Sequence, residues 1–369
     1  MKILLLAPFF TGSHRRWAEG LQQHLAADVH ILSLAGRHWK WRMHGAAVSF
    51  AEQFRELGFR PDLILATDML DLASFLALSR PLSDGIPAAV YFHENQLSYP
   101  WSPTDPDTGQ QRDRHYAFIN YTSALAADAC FFNSAFHQGI FLQQLPDFLH
   151  AFPDHQDKHR VAEIAAKSSV LPLGLDLSAF QGVFSPCTHH TPTILWNHRW
   201  EYDKAPETFF KTLFQLQEQG YDFQLIVLGE GYRKQPSIFS QAKAQLAKHI
   251  MHWGFVDNRR QYHQLLRQAD LLPVFSHHDF FGISVVEAIA AGVFPILPKR
   301  LAYPEHIPTS LASQHLFDSD ELVGEKLRNF LQKGGLQADQ SLVEYVQKYD
   351  WRQLAPQYLA ALTAVGKKP

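Results

Sequence analysis

Cysteine is almost missing from this 369-residue chain, which contains only Cys130 and Cys187. One lies in an apolar run and the other in a Pro/His-rich stretch, which argues against a disulfide framework and fits a reducing compartment. Charge of one sign is also lacking: 33 Lys and Arg stand against 36 Asp and Glu, a formal net charge of -3. This excludes a global pull toward nucleic acid or anionic lipid, so any polyanion has to be held by a local basic patch. No apolar run approaches the length of a membrane-spanning helix. The opening Lys2–Leu6 is interrupted by Pro8 and Gly12 and followed by Arg15 and Arg16, so it reads as a buried first strand rather than a signal peptide. The 21 histidines are scattered, without the Cys/His spacing of a zinc site. Low-complexity tracts and short-period repeats are wanting too, and a soluble cytoplasmic protein without stable membrane insertion is the expectation.

What is present is a large apolar fraction, 46% of residues, laid out as short β-rich runs alternating with longer amphipathic ones. That alternation is the pattern of α/β folds in which helices cover parallel sheets. Strands are expected at 2–7, 28–34, 63–66, 88–92 and 129–132, with helices near 13–25, 46–57, 71–78, 112–127 and 134–145. Two prolines and no long aliphatic residue mark 185–192 as a linker. Alternation then restarts, with strands at 193–196, 224–228, 250–253, 271–274 and 294–297. The helices between them are expected at 205–218, 237–248, 259–268 and 283–291. The length suits two domains: a Rossmann-like acceptor domain over 1–184 and a Rossmann-like donor domain over 193–350, with a cleft between them. A last helix, 351–365 within the C-terminal segment 351–369, is free to cross back onto the first domain.

The stretch from His278 to Gly292 carries the most chemistry. Gly282 precedes the apolar-periodic run 283–291, so the amides of Gly282 and Ile283 are expected to open a helix whose positive end binds a diphosphate. Glu287 follows Ile283 by about one turn, ~5.4 Å along the axis, which suits a carboxylate accepting ribose hydroxyls; a lone acid on a helix equally fits solvent exposure. Asp279 lies on the loop before the helix, where the donor sugar would sit. Arg199 and Lys204, just after the first strand of the second half, can neutralise charge developing on a leaving diphosphate. Asp318-Ser319-Asp320 mimics a metal-binding Asp-x-Asp but precedes a helical run, and reads as an N-cap.

In the first half, Gly12 between strand and helix would let backbone approach a donor phosphate or sugar. His93, Glu94, Asn95 and Gln96 follow a strand; four polar side chains are costly to bury unpaired, so they are expected to line the cleft, unless they form a solvent-facing turn. His93 would reach the donor sugar or the reacting centre, and Glu94 and Asn95 the acceptor. Arg37, Trp39, Lys40, Trp41 and Arg42 alternate cations with tryptophans, able to pair phosphates and stack on unpaired bases. Arg15 and Arg16 extend that patch. The same run also fits a loop whose tryptophans pack inward while the cations snorkel.

The spacing from Asp279 to Glu287, with Phe-Gly after the first acid and Glu-Ala-x-x-x-Gly around the second, resembles the retaining GT-B enzymes of glycosyltransferase family 4 and their Glu-x7-Glu motif. Asp279 departs from the usual Glu by one methylene. The resemblance implies that Arg199 and Lys204 contact the diphosphate, that the nucleotide base docks beside Phe255 and Val256, and that no metal is needed. Gly12-Ser13-His14, residues 37–42, the 93–97 run with Tyr99-Pro100, and Tyr303-Pro304-Glu305 narrow the likeness: together they resemble the tRNA-queuosine α-mannosyltransferase family, across most of both halves. That implies GDP-mannose as donor, no separate cofactor, and the cyclopentenediol of queuosine in a tRNA anticodon as acceptor. The competing expectations are a family 4 transferase acting on lipopolysaccharide or another glycan, and a catalytically silent protein that binds sugar nucleotide or RNA.

Overall fold

A computed structural model describes residues 1–101, 114–181, 191–231, 236–332 and 339–366. The chain divides into two compact units, Met1–Asp176 with Tyr349–Pro369, and Leu177–Lys348. The expected linker at 185–192 lies outside the described residues up to position 190.

The first unit holds β1 (Lys2–Phe10), β2 (Asp28–Ala35), β3 (Leu63–Thr67), β4 (Ala88–Phe92), β5 (Ala129–Phe132) and β6 (Ser168–Val170), in the order β2-β1-β3-β4-β5-β6. Every pairing is parallel. Helices cover the sheet, and β3, β4 and β5 are buried at every position, as near-continuous apolar strands of a parallel sheet require. The second unit repeats the scheme with β7 (Thr193–Trp196), β8 (Gln224–Leu228), β9 (Ile250–Gly254), β10 (Leu271–Pro273), β11 (Phe294–Pro298) and β12 (Leu316–Phe317), ordered β12-β11-β10-β7-β8-β9. From β7 the chain builds outward to one side through β8 and β9, then returns to the other side with β10. This reversal opens a crevice at the carboxyl ends of β7 and β10, the place where open α/β sheets bind ligands.

Three of the departures from expectation have a physical reason. The helix expected at 46–57 begins seven residues earlier and spans Trp39–Leu57, entered through His38 in the left-handed region (φ 56°). The helix expected to stop at 145 runs to His150 through Pro146; Leu145 and Leu149 are both buried on one face, and that packing outweighs the lost backbone hydrogen bond. β6 has the sequence Ser-Ser-Val, with no apolar run to announce it.

The helix Trp351–Val365 packs on the helix Gly12–His24 of the first unit. Trp351 is buried against Gly20 and Gly174, and a Cβ added at either glycine would run into its ring. Next to it the Trp17 indole donates to the Tyr358 hydroxyl at 3.0 Å, and that hydroxyl lies 2.8 Å from the Pro172 carbonyl. Trp351→Ala is expected to destabilise this unit by about 3–5 kcal/mol, measured as a lower midpoint in urea unfolding. An unchanged midpoint would show that the indole does not hold the C-terminal helix in place.

Candidate functional site

The carboxyl ends of β7 and β10 bring together residues far apart in sequence. Lys204 ends a single 3-10 turn, Tyr202–Lys204, and the next residue, Ala205, takes a left-handed conformation (φ 53°) to start the helix Pro206–Glu218. Lys204 is only 7% exposed. Its ammonium donates to the His278 carbonyl at 2.6 Å and lies 3.2 Å from Asp203 Oδ2 and 3.5 Å from Asp279 Oδ2. Burial alone would raise the Asp279 pKa, but Lys204, His198, His278 and the Phe281 amide together bring it below the ordinary carboxylate value. His198 and His278 are each lowered to about 4, by burial first and by Lys204 second, so both are neutral at pH 7.

Gly282 enters the helix Ile283–Ala290 with φ 89°, a conformation that suits a residue without Cβ. The β7 end grips this helix start: Asn197 Nδ2 donates to the Ser284 carbonyl at 2.7 Å, and Ser284 Oγ lies 3.1 Å from His198 Nδ1. The leading amides of such a helix have no partner within it. Glu287, one turn on, is 3% exposed rather than solvent-facing. Tyr262 donates to its Oε2 at 2.9 Å, and Arg259 donates to its Oε1 at 3.2 Å.

Arg199, unlike Lys204, has a side chain about half exposed, and it pairs with Glu201 at 3.2 Å. Phe255, just after β9, is 60% exposed, and Val256 is half-buried beside it. Asp318 and Asp320, read from sequence as a cap, pair with Lys299 at 3.6 Å and Arg300 at 3.3 Å.

In the first unit, Gly12 opens its helix at φ 52°, and a Cβ there would meet nothing within 4 Å. His93 follows β4 and is 8% exposed, and among the described residues neither ring nitrogen has a hydrogen-bond partner; burial lowers its pKa to about 3. Asp68, at the end of β3, accepts the His93 amide at 2.8 Å and lies 3.4 Å from His93 Nδ1. Burial raises Asp68 to about 6 against the opposing pull of His14 and backbone amides. The His14 ring lies 4.5 Å from that of His93. Asp68 escaped the sequence reading, although an acid directly after a buried strand was a usable signal; His14 was noticed only as part of a motif. The ligating atoms of His14, Asp68 and His93 lie within 4.8 Å of one another, close enough to hold a metal ion.

The residues expected to face an acceptor divide into several kinds. Asn95 is buried, and its Oδ1 accepts from the Leu97 and Ser98 amides at 3.0 and 2.9 Å, organising its own loop. Glu94 is half-buried and accepts from Gln96 Nε2 at 3.1 Å. Residues 39–42 form the first turn of a helix instead of a loop. Trp39 packs inward against Met43, Met69, Tyr116 and Ile119, while Lys40 lies 5.2 Å from the Trp101 ring centroid. Arg42 donates to the Ala35 carbonyl at 3.2 Å. Arg37 is exposed, and Trp41 is 64% exposed. Arg15 pairs with Glu19 at 2.7 Å.

Residues 2–175 match the family described as tRNA-queuosine alpha-mannosyltransferase N-terminal, and residues 186–348 match glycosyl transferases group 1. The tRNA-queuosine alpha-mannosyltransferase of Drosophila melanogaster is 32% identical over 97% of this chain and 95% of its own length. A GDP-mannose:cellobiosyl-diphosphopolyprenol alpha-mannosyltransferase of Xanthomonas oryzae is 27% identical over 54% of this chain and 53% of its own. Among solved structures, the sucrose-phosphate synthase of Thermosynechococcus elongatus superposes with a TM-score of 0.72 at 14% identity, covering 99% of each chain. Anabaena HepE in complex with UDP gives 0.68 at 15% identity, over 99% of this chain and 100% of its own. These likenesses assign the GT-B fold to the two six-stranded parallel sheets, and the near full-length similarity to the Drosophila enzyme establishes that the chain belongs to the tRNA-queuosine alpha-mannosyltransferase family.

Proposed function

We propose that this chain is a retaining glycosyltransferase that moves mannose from GDP-mannose onto the queuosine of a tRNA anticodon, in the cytoplasm. The observation that carries this reading is similarity running through both units to a relative of that activity. Mannosyltransferases named for GDP-mannose among the partial relatives support the donor. In this reading Lys204, Arg199 and the amides at Gly282 and Ile283 draw on the departing diphosphate. Asp279 orients the sugar, the acceptor hydroxyl attacks from the face the leaving group vacates, and a leaving phosphate oxygen takes its proton. Glu287 holds the ribose, and Phe255 and Val256 flank the base. Exposed Trp41 and Arg37, with Arg15, Lys40, Arg42 and Glu94, belong to the acceptor side, and buried Asn95 shapes the loop that carries Glu94. Cations and amides take the place of a metal, and no separate cofactor enters.

The decisive experiment incubates the protein with radiolabelled GDP-mannose and queuosine-containing tRNA. UDP-glucose serves as competing donor, polyprenol-linked glycan as competing acceptor, and parallel reactions contain EDTA. Label in tRNA that persists in EDTA is the expected result. Label in the glycan alone would reassign the acceptor, and loss of activity in EDTA, restored by a divalent metal, would direct attention to His14, Asp68 and His93.

Lys204→Ala is expected to lower turnover about 10²–10³-fold, with circular dichroism unchanged; near-normal transfer would remove the ammonium from the reaction. Glu287→Gln is expected to weaken GDP binding at least about tenfold, in line with a hydrogen bond to a charged group. Calorimetry giving the wild-type affinity would contradict the ribose assignment.

A further inference from the structure

Tyr303 is fully buried in the short turn Tyr303–His306 that follows β11. Its hydroxyl donates to Asp279 Oδ2 at 3.2 Å. Its ring edge lies 3.1 Å from where a Cβ on Gly282 would stand, and His306, from the same turn, contacts the Phe281 carbonyl. One turn thus braces both the acid and the residue that opens the helix Ile283–Ala290. Burial, with Asp279 alongside, raises the Tyr303 pKa well above its ordinary value, so the phenol keeps its proton and acts as a donor.

The two oxygens of Asp279 are unequally occupied. Oδ2 takes Tyr303 at 3.2 Å and Lys204 at 3.5 Å, whereas among the described residues Oδ1 takes only the long 3.4 Å contact from the Phe281 amide. Acceptor capacity is therefore left mainly on Oδ1. A carboxylate held at one oxygen by two donors has little freedom to rotate, and a shorter arm than glutamate draws it back toward the turn that holds it. We infer that Tyr303 is a positioning residue: it fixes Oδ2 of Asp279 beside Lys204, so that Oδ1 is presented to a hydroxyl of the donor sugar. This rests on the glycosyl-transfer reading for its substrate, but the contact it concerns can be measured without turnover.

Tyr303→Phe keeps the ring against Gly282 and removes only the donor. The groups facing Asp279 are Lys204 and His198 from the β7 end, the adjacent His278, the Phe281 amide and Tyr303 itself. Loss of the phenol removes one stabiliser of the ionised carboxylate, so the Asp279 pKa rises and any activity requiring that charge is lost at higher pH as the solution is acidified. In selectively 13C-labelled protein, with Asp279→Asn for assignment, the Asp279 carboxyl titration is expected to move upward in Tyr303→Phe. In transfer assays kcat is expected to fall about 10–100-fold, with the acid limb displaced upward and GDP affinity within twofold of wild type. In an Asp279→Asn background, Tyr303→Phe is expected to cost less than twofold further, because the phenol acts through the carboxylate.

An unmoved titration, or an equal kcat loss with and without the Asp279 carboxylate, would overturn the positioning role while leaving glycosyl transfer intact. Absence of transfer by the wild type with a normal carboxyl shift would instead sink the substrate reading alone. Should Tyr303→Phe fail to fold, Tyr303→Met likewise lacks a donor, and wild-type activity from it with an unshifted Asp279 titration would show that the phenol contact has no role.

Discussion

A buried ammonium has to be fully partnered, and Lys204 imposes that requirement on the carboxyl end of the second sheet. Leaving such a charge unmatched away from water costs several kcal/mol. The chain meets the demand with the His278 carbonyl and the carboxylates of Asp203 and Asp279, two of which lie more than seventy residues downstream. Loops after β7 and β10 are thereby tied across the point where strand order reverses. The local backbone follows from that tie. Ala205 turns left-handed to bring Lys204 inward, and Gly229 leaves room for the His198 carbonyl pressed against it. The set around Lys204 counts two carboxylates, Asp203 buried and Asp279 part-buried, against one ammonium, with His198 and His278 neutral. An incoming anion would consequently draw its attraction from helix amides and from half-exposed Arg199 as well as from Lys204.

Much of this was legible in the sequence because the elements concerned are locally coded. β4, β5, β7 and β8 fall where apolar runs placed them, and Gly282 opens its helix where the glycine before a periodic run said it would. Asp279 and Lys204 were each singled out, but their adjacency depends on which strands are neighbours, which local pattern does not encode. Glu287 shows the same limit: its two partners, Arg259 and Tyr262, come from a different helix. The run 37–42 was misjudged in a different way. Two tryptophans among cations read as a loop, yet Met43, Met69 and Tyr116 supply a surface on which Trp39 packs, so the helix starts early. Tertiary burial overrode a composition that local rules assign to a connector.

In the first unit the same logic of buried polar groups operates with weaker ties. Asp68 holds the His93 backbone amide, Asn133 donates to the His93 carbonyl at 2.8 Å, and His14, Trp17 and Tyr91 surround its ring. The imidazole is therefore oriented by backbone anchoring and ring packing, with Asp68 3.4 Å from Nδ1 and no hydrogen bond to either nitrogen among the described residues. Such an arrangement suits a group whose hydrogen bonds are completed by what it binds, and it lies at the carboxyl ends of β3 and β4, the side of a parallel sheet that hosts ligands.

The chain leaves the first unit at Asp176 and re-enters it at Tyr349. The groove between Gly20 and Gly174 that receives Trp351 is thus filled by a segment translated after the whole second unit. At about 5–20 residues per second, the 172 residues from Leu177 to Lys348 keep that groove open for roughly ten to thirty seconds on the ribosome. For this interval the glycine-lined groove stands uncovered, so the first unit is completed only when the indole arrives.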